Sequence, residues 1–272
     1  LIMSDVIYKS RDFFTGLLNE GLQIIQDIRK TGNLATEIKG YFKSGDSDPV
    51  TDADKLVGRL YLDRMKKSFP AWRAISEDAY GFDISGLKTG DIVALFDPLD
   101  GTKLFIENKP GYASMCNVSE MTADGTLRPV LGMFRIAGES ETFYGYTGDF
   151  NETNLTADRT NNTDNLRLGR PLFDRSGNLG KLEKAAELET VTIRGMGPNT
   201  VSLARGQTDL FIYDPGIKIW DIFPVMPIIQ ANKGSILNLE GRKIMSHGEE
   251  KFANGIMAVR DSVPREVIDR IA

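Results

Sequence analysis

Acidic side chains stand at four points where regular structure should begin or end: Asp52 and Asp54, Glu77 and Asp78, Asp97 and Asp100, and Asp221. Each has a plain structural use, since Asp caps helices and marks turns. The densest stretch, Asp97-Pro98-Leu99-Asp100-Gly101-Thr102, follows the apolar run Ile92–Phe96, which reads as a strand buried on both faces. Open α/β sheets gather ligands at the carboxyl ends of such strands. Pro98 fixes the backbone, so that Asp97 and Asp100 can turn toward one point with the Leu99 carbonyl between them. Carboxylates, a carbonyl and water make the oxygen-only shell that Mg²⁺ selects. Gly101 and Thr102 then offer backbone N–H groups at a helix start, a place that favours an anion. A hard cation beside an anion is the chemistry that these residues could do.

Other chemistries are poorly supplied. The chain has one His and one Cys, too few for an ordinary zinc site. Cys116 is not followed by an Arg six positions on, where Thr122 stands, so a cysteine-phosphatase loop is excluded. A Ser-His-Asp arrangement would need His247, which lies in the loop-like Ser246-His247-Gly248-Glu249 with no nucleophile elbow nearby and reads as an exposed structural residue. A calcium loop over 46–57 fails because Val50 holds a ligand position and the central glycine is missing. Net charge is −5 with no basic stripe, which argues against a nucleic-acid polymer as partner. Bound metal ions can still reverse the local field for a small phosphorylated substrate. A single Cys allows no intrachain disulfide and fits a reducing compartment; with neither a membrane span nor a secretory leader visible, the expected location is the cytoplasm.

The elements that must position the acids follow from periodicity. With 272 residues, 41% of them hydrophobic and 26% charged, the chain can build one large α/β domain or two closely packed halves. Val6, Phe13, Phe14, Leu17, Leu18, Ile24, Ile25 and Ile28 predict a long amphipathic helix over 5–30, ending near Thr31-Gly32. A second helix should run from Thr51 or Asp52 to about Lys67, with acids in its first turn. Strands are expected at 72–76, 92–96, 113–119, 130–136 and 141–146. Residues 148–165, rich in Asn, Thr and Asp, read as a surface excursion and the seam between halves 1–150, carrying Asp54, Glu77, Asp97 and Asp100, and 151–272, carrying Asp221. The second half should alternate: strand 166–168, helix 177–187, strand 190–194, helix 200–205, strand 209–213, and a helix from Trp220-Asp221.

Asp97-Pro98-Leu99-Asp100-Gly101-Thr102 resembles the first signature of the inositol monophosphatase family, Mg²⁺-dependent and lithium-sensitive phosphomonoesterases, and Trp220-Asp221 resembles the start of the second. Thr51-x-x-Asp54 and Ser76-Glu77-Asp78 match the supporting acids in order, so the resemblance spans roughly residues 5 to 260. It implies a layered α/β/α/β/α sandwich of the inositol monophosphatase and fructose-1,6-bisphosphatase type. It also implies that Glu77, Asp97, Asp100 and Asp221, with the Leu99 carbonyl, hold two or three Mg²⁺ ions. One ion would activate the attacking water and another would steady the departing oxygen. Thr102, bonded toward Asp54, would orient that water, with Glu77 beside them, and the Gly101 and Thr102 amides would receive phosphate oxygens. No covalent phosphoenzyme is implied.

The chain departs from the family pattern in places. The second signature usually continues with small residues and ends Ala-Gly-Gly, whereas here it reads Ile222-Phe223-Pro224 and later Ala231-Asn232-Lys233-Gly234; Asp78 stands where a second Glu is usual. Lys103 and the stretch Pro215–Asp221 resemble the 3′(2′),5′-bisphosphate nucleotidase branch, and Gly195-Met196-Gly197-Pro198-Asn199 is placed like its glycine-rich substrate loop. Lys218 reads equally as a charge for a second phosphate and as a solvated surface group. Asp214 aligns instead with the acid that receives sugar or cyclitol hydroxyls in inositol monophosphatases, and Asp48-Pro49-Val50-Thr51-x-Ala53-Asp54 is shared with histidinol-phosphate phosphatases. The expectation is hydrolysis of a small phosphorylated metabolite. Nucleotide 3′-phosphate removal stands first, with inositol monophosphate and histidinol phosphate as alternatives. A catalytically weak binding or regulatory member is the reading of another class. Dimers are common in the family.

Overall fold

The computed structural model describes residues 3–32, 35–41, 47–78, 82–156, 166–170, 188–213, 216–244 and 249–271. The first helix, α1, runs Met3–Thr31. Its innermost face is carried by Ile7, Phe14, Leu18, Leu22 and Ile25, while Phe13, Ile24 and Ile28 lie half-buried at its margins, so the stripe sits slightly round from the one the apolar residues suggest. A hairpin follows, β1 (Thr36–Tyr41) antiparallel to β2 (Ser47–Thr51), which is not among the strands expected from the sequence. Helix α2 is Asp52–Ser68, capped by Thr51.

The first sheet then forms in chain order: β3 (Arg73–Ser76), β4 (Ile92–Asp100), β5 (Ala113–Met121), β6 (Leu127–Ile136) and β7 (Phe143–Tyr146). β3 pairs parallel with β4 and the rest is an antiparallel meander, with the one-and-a-half-turn helix α3 (Thr102–Ile106) leading from β4 toward β5. Strand side chains alternate between faces. On β4, Ala94 and Phe96 pack under α1 and α2 with Phe14, Val57 and Tyr61, while Val93 and Leu95 enter the opposite cluster. Burying each of the Val, Leu and Phe side chains contributes about 1.5–3 kcal/mol.

The chain continues through β8 (Arg167–Arg170), β9 (Glu189–Thr192), α4 (Met196–Ala204), β10 (Leu210–Tyr213), β11 (Ile217–Lys218), α5 (Ile219–Ile222), α6 (Met226–Ala231), β12 (Ser235–Asn238), β13 (Lys251–Phe252), β14 (Ile256–Val259) and α7 (Arg265–Ile271). The second sheet has the order β12-β14-β10-β8-β9, and β11 pairs with β13. Helices α4, α5 and α6 fill the space between the two sheets, joining Leu95, Met115 and Phe134 to Phe211, Ile236 and Ala258 in one cluster. Val267, Ile268 and Ile271 of α7 cover the outer face of the second sheet against Leu210, Ile212 and Met257. The result is the α/β/α/β/α layering expected from the resemblance. The middle cluster draws on residues from both sides of position 150, and Leu155, within the supposed surface excursion, is buried in it. The helix expected over 177–187 and the loop holding His247 lie outside the described residues. No described helix is long and apolar enough to cross a membrane.

Candidate active site

Strand β4 does not stop before the acidic motif, as the sequence suggests, but carries it to Asp100. Asp97 pairs with Met115 of β5 and Asp100 with Ala113, so three residue steps on β4 face two on its partner. That one-residue bulge absorbs Pro98 and Leu99 and puts Asp97 and Asp100 on the same face, where a regular strand would send them to opposite ones. The shared face is the one covered by α5, which bears Asp221. Carboxylate oxygens of Asp97, Asp100 and Asp221 consequently lie within 4.8 Å of one another, and among the described residues no other group of three potential metal ligands comes so close.

Each carboxylate is held by backbone. The Leu99 N–H donates to Asp97 Oδ1 at 3.0 Å, the Lys218 N–H to Asp221 Oδ2 at 3.0 Å, and the Met196 N–H at the start of α4 to Asp100 Oδ2 at 3.0 Å. The glycines flanking Met196 are therefore placed around a carboxylate. Gly195 has φ of 86° and lies so near Gly111 that a Cβ would stand 2.3 Å from its carbonyl oxygen, and Gly197 is buried against Phe134 and Ile136. The turn carrying Asp221 has its own support. Pro227 has no N–H to offer the Phe223 carbonyl four residues back; Asn117 Nδ2, from β5, donates to that carbonyl at 3.2 Å and to the Leu131 carbonyl at 2.8 Å. The departure Phe223-Pro224 is thus accommodated by a buried Asn, and by Gly132, whose Cβ would meet the Pro224 oxygen at 2.1 Å.

A second pair lies at the start of α2. Asp54 Oδ2 accepts the Thr51 N–H at 2.8 Å and the Thr51 hydroxyl at 2.5 Å, leaving Oδ1 to face Thr102 Oγ1 at 3.1 Å. Thr102 Oγ1 is also 3.1 Å from the Leu99 carbonyl, so its single proton serves one acceptor at a time. Gly101 takes a left-handed conformation as the N-cap of α3. Asp52, by contrast, is exposed, and Cys116 is buried in the core with its thiol pushed up by burial.

Glu77 is not one of the three within 4.8 Å, but its charge acts on Asp97. Its N–H donates to the Phe96 carbonyl at 3.1 Å, and its Oε1 accepts both Lys218 Nζ at 2.5 Å and Lys39 Nζ at 3.0 Å. Lys39 also reaches Asp78 Oδ1 at 2.8 Å, and Lys218 Nζ lies 3.8 Å from Asp48 and 5.5 Å from the Trp220 ring centre. Lys218 is therefore neither solvated nor turned outward. Sequence reading missed Lys39 altogether, since nothing in Glu37-Ile38-Lys39-Gly40 distinguishes it until the hairpin brings it to Glu77. It also missed Asn117, although a polar amide inside the apolar run 113–118 was a usable signal. Asp214 lies outside the described residues.

The electrostatics follow from this geometry. Burial pushes Asp97 well above the usual carboxylate range, reinforced by Glu77, Asp221 and Asp100, and raises Asp100 to about 7, with Asp221 adding to the effect and the α4 amides opposing it. Burial also raises Asp54 to about 6 against the two bonds from Thr51. Glu77 goes the other way: burial opposes its charge, but the Lys218 and Lys39 ammoniums outweigh that and hold it low. Three oxygen donors that cannot comfortably ionise together are a donor set suited to a hard divalent cation, which replaces the missing positive charge.

The sequence profile of the inositol monophosphatase family matches residues 11–263. The fructose-1,6-bisphosphatase/inositol-1-monophosphatase of Thermotoga maritima is 25% identical over 239 residues, covering 84% of this chain and 87% of its own length. A structure described as an IMPase/NADP phosphatase complexed with Mg²⁺ and phosphate superposes with a TM-score of 0.75 at 15% identity, over 99% of this chain and 96% of the other. SaIMPase-II bound to 2′AMP superposes at 0.72 with 20% identity over 95% and 92% of the two chains, and the same protein is described bound to inositol monophosphate. With the layered fold, the acid-bearing strand and the profile match extending over nearly the whole sequence, the chain belongs to the inositol monophosphatase family, whose members are phosphomonoester hydrolases.

Proposed function

We propose that the chain hydrolyses a small phosphate monoester in a Mg²⁺-dependent reaction, with Asp97, Asp100, Asp221 and the Leu99 carbonyl as the metal-holding set and Glu77 at its margin. The observation that carries this reading is the convergence of the three carboxylates within 4.8 Å on one sheet face. Mg²⁺ bound there, in two or three ions by family resemblance, supplies Lewis acidity that makes water a better nucleophile and neutralises charge on the departing oxygen. The remaining work belongs to the chain. Thr102 Oγ1 takes a proton from the attacking water as it passes its own to Asp54 Oδ1, a carboxylate that burial keeps a better base than an ordinary Asp. Thr51 fixes the other Asp54 oxygen, so the base presents one face. The Gly101 and Thr102 amides receive phosphate oxygens. Water attacks phosphorus in line, the P–O ester bond breaks, and the alcohol leaves carrying a proton from solvent. Like other family members, the enzyme is expected to be inhibited by millimolar lithium.

The substrate class is a phosphate on a ribose or polyol hydroxyl, with a 2′- or 3′-phosphate of an adenine nucleotide foremost. The stretch Gly216-Ile217-Lys218-Ile219-Trp220-Asp221 and a structural neighbour that binds 2′AMP support it. Inositol monophosphate is the second reading, supported by the name of the Thermotoga maritima relative and by the inositol monophosphate complex of SaIMPase-II. The test is phosphate release with Mg²⁺ from adenosine 3′,5′-bisphosphate, 2′AMP, inositol 1-phosphate, fructose 1,6-bisphosphate and histidinol phosphate. Release that needs Mg²⁺ and disappears in Asp97→Asn is expected. A folded, metal-binding protein inert across the whole panel would favour the binding or regulatory role instead.

A further inference from the structure

Two ammonium groups, those of Lys39 and Lys218, stand against three carboxylates, Asp48, Glu77 and Asp78, and Glu77 in turn acts on Asp97 of the trio. The two cations are not shared evenly. Both settle on Glu77 Oε1, and Lys39 adds Asp78. Each carboxylate of the trio Asp97, Asp100 and Asp221 accepts a backbone amide, from Leu99, Met196 and Lys218 respectively.

We propose that the Lys218 ammonium is a resident cation that stands in for one divalent ion beside Glu77, so that this chain binds one metal ion tightly, at the trio, and further ions only in competition with Lys218. The inference rests on the trio being a metal site. Its own support is the way Lys218 is built in. The residue caps α5 through its backbone N–H on Asp221 Oδ2 at 3.0 Å, which fixes its Cα next to the trio. Its side chain, 16% exposed, then crosses to Glu77 at 2.5 Å, with Asp48 3.8 Å away. The Trp220 ring under the ammonium, 5.5 Å from Nζ, adds a cation–π attraction that favours this placement over solvent. One residue thus ties the trio to Glu77 and neutralises Glu77 at the same time. A divalent ion approaching Glu77 must either displace an ammonium held by a short ion pair or accept like-charge repulsion at a few ångströms. Lys39 alone would not impose this, since it divides its charge between Glu77 and Asp78 and comes from the separate β1–β2 hairpin.

The test counts ions rather than turnover. Mn²⁺ is titrated into metal-free wild type, Lys218→Met, Lys218→Arg and Asp97→Asn, with the free ion read by electron paramagnetic resonance and the fold checked by circular dichroism. The wild type should bind one ion tightly and the next far more weakly. Lys218→Met should tighten the second ion by about tenfold or more, while Lys218→Arg, which keeps the charge, should titrate like the wild type. Should Lys218→Met fail to fold, Lys218→Gln carries the same expectation. Equal ion counts and affinities in the wild type and the uncharged variant, with Asp97→Asn still losing the tight ion, would overturn the resident-cation role and leave the metal site standing. An Asp97→Asn protein that binds Mn²⁺ like the wild type would overturn both.

Discussion

Asp97 and Asp100 project from one face of β4 although they stand three positions apart in sequence, because a one-residue bulge at Pro98-Leu99 sets their partners, Met115 and Ala113, two apart on β5. This offset is what allows a buried strand to present two carboxylates to Asp221 on the helix packed above it.

Removing one charge from this group should separate chemistry from stability. Asp97→Asn is expected to lower Mg²⁺-dependent phosphate release by on the order of 10²–10³-fold. Its thermal midpoint in EDTA should be equal to or above that of the wild type, because a buried, mutually repelled carboxylate is replaced by a neutral amide of the same shape. Phosphate assays paired with thermal melts check both halves.

The same repulsion gives the metal-free protein a pH dependence of definite sign. Asp97 lies well above the usual range, Asp100 at about 7 and Asp54 at about 6, so the folded state holds protons that the unfolded chain has released. Their stabilising contribution is complete below the ordinary carboxylate pKa and is lost as pH rises through 6 and 7. The melting temperature in EDTA should therefore fall between about pH 5 and pH 8, and Mg²⁺ should raise it more at the upper end, where it competes with fewer protons. An EDTA melting temperature that climbs across this range, or a Mg²⁺ increment that is larger at pH 5, would contradict the assignment.

Thr102→Val keeps the shape of the side chain and deletes the hydroxyl facing Asp54. We expect kcat to drop by about 10²-fold, with KM and Mn²⁺ affinity close to the wild type, since the carboxylate trio does not depend on that hydroxyl. Steady-state kinetics and an ion titration on one preparation separate a lost proton path from a damaged metal site.

Asn117→Leu removes the donor that satisfies the Phe223 and Leu131 carbonyls inside the core. Urea unfolding should show a loss of about 2 kcal/mol, and the turn carrying Asp221 should loosen, which weakens Mn²⁺ binding. A variant as stable as the wild type with unchanged metal affinity would show that this amide holds nothing of consequence.

Much of the site was legible because its residues announce themselves locally. The acidic hexapeptide after an apolar run, the Thr51-x-x-Asp54 helix start and the Trp220-Asp221 pair are short patterns whose chemistry travels with them. The long helices and the central strands were legible from periodicity for the same reason. What escaped depends on contacts between distant segments. The β1–β2 hairpin has a polar, irregular sequence and gains its place through pairing and through the ion pairs of Lys39 with Glu77 and Asp78. Lys218 reads equally as a charge for a second phosphate and as a solvated surface group until Glu77, far away in sequence, is seen to take it. The glycines at 195 and 197 shape the loop whose Met196 amide holds Asp100, a contact that no local pattern announces. No local pattern encodes a partner that the chain meets only after folding.

The most direct measurement is anomalous diffraction from a crystal soaked in Mn²⁺. We expect a strong peak bound jointly by Asp97, Asp100 and Asp221, with Thr102 and Asp54 alongside it. A crystal in which those three carboxylates diverge, and in which the manganese signal appears elsewhere on the protein or nowhere, would contradict a metal-dependent hydrolase at this position.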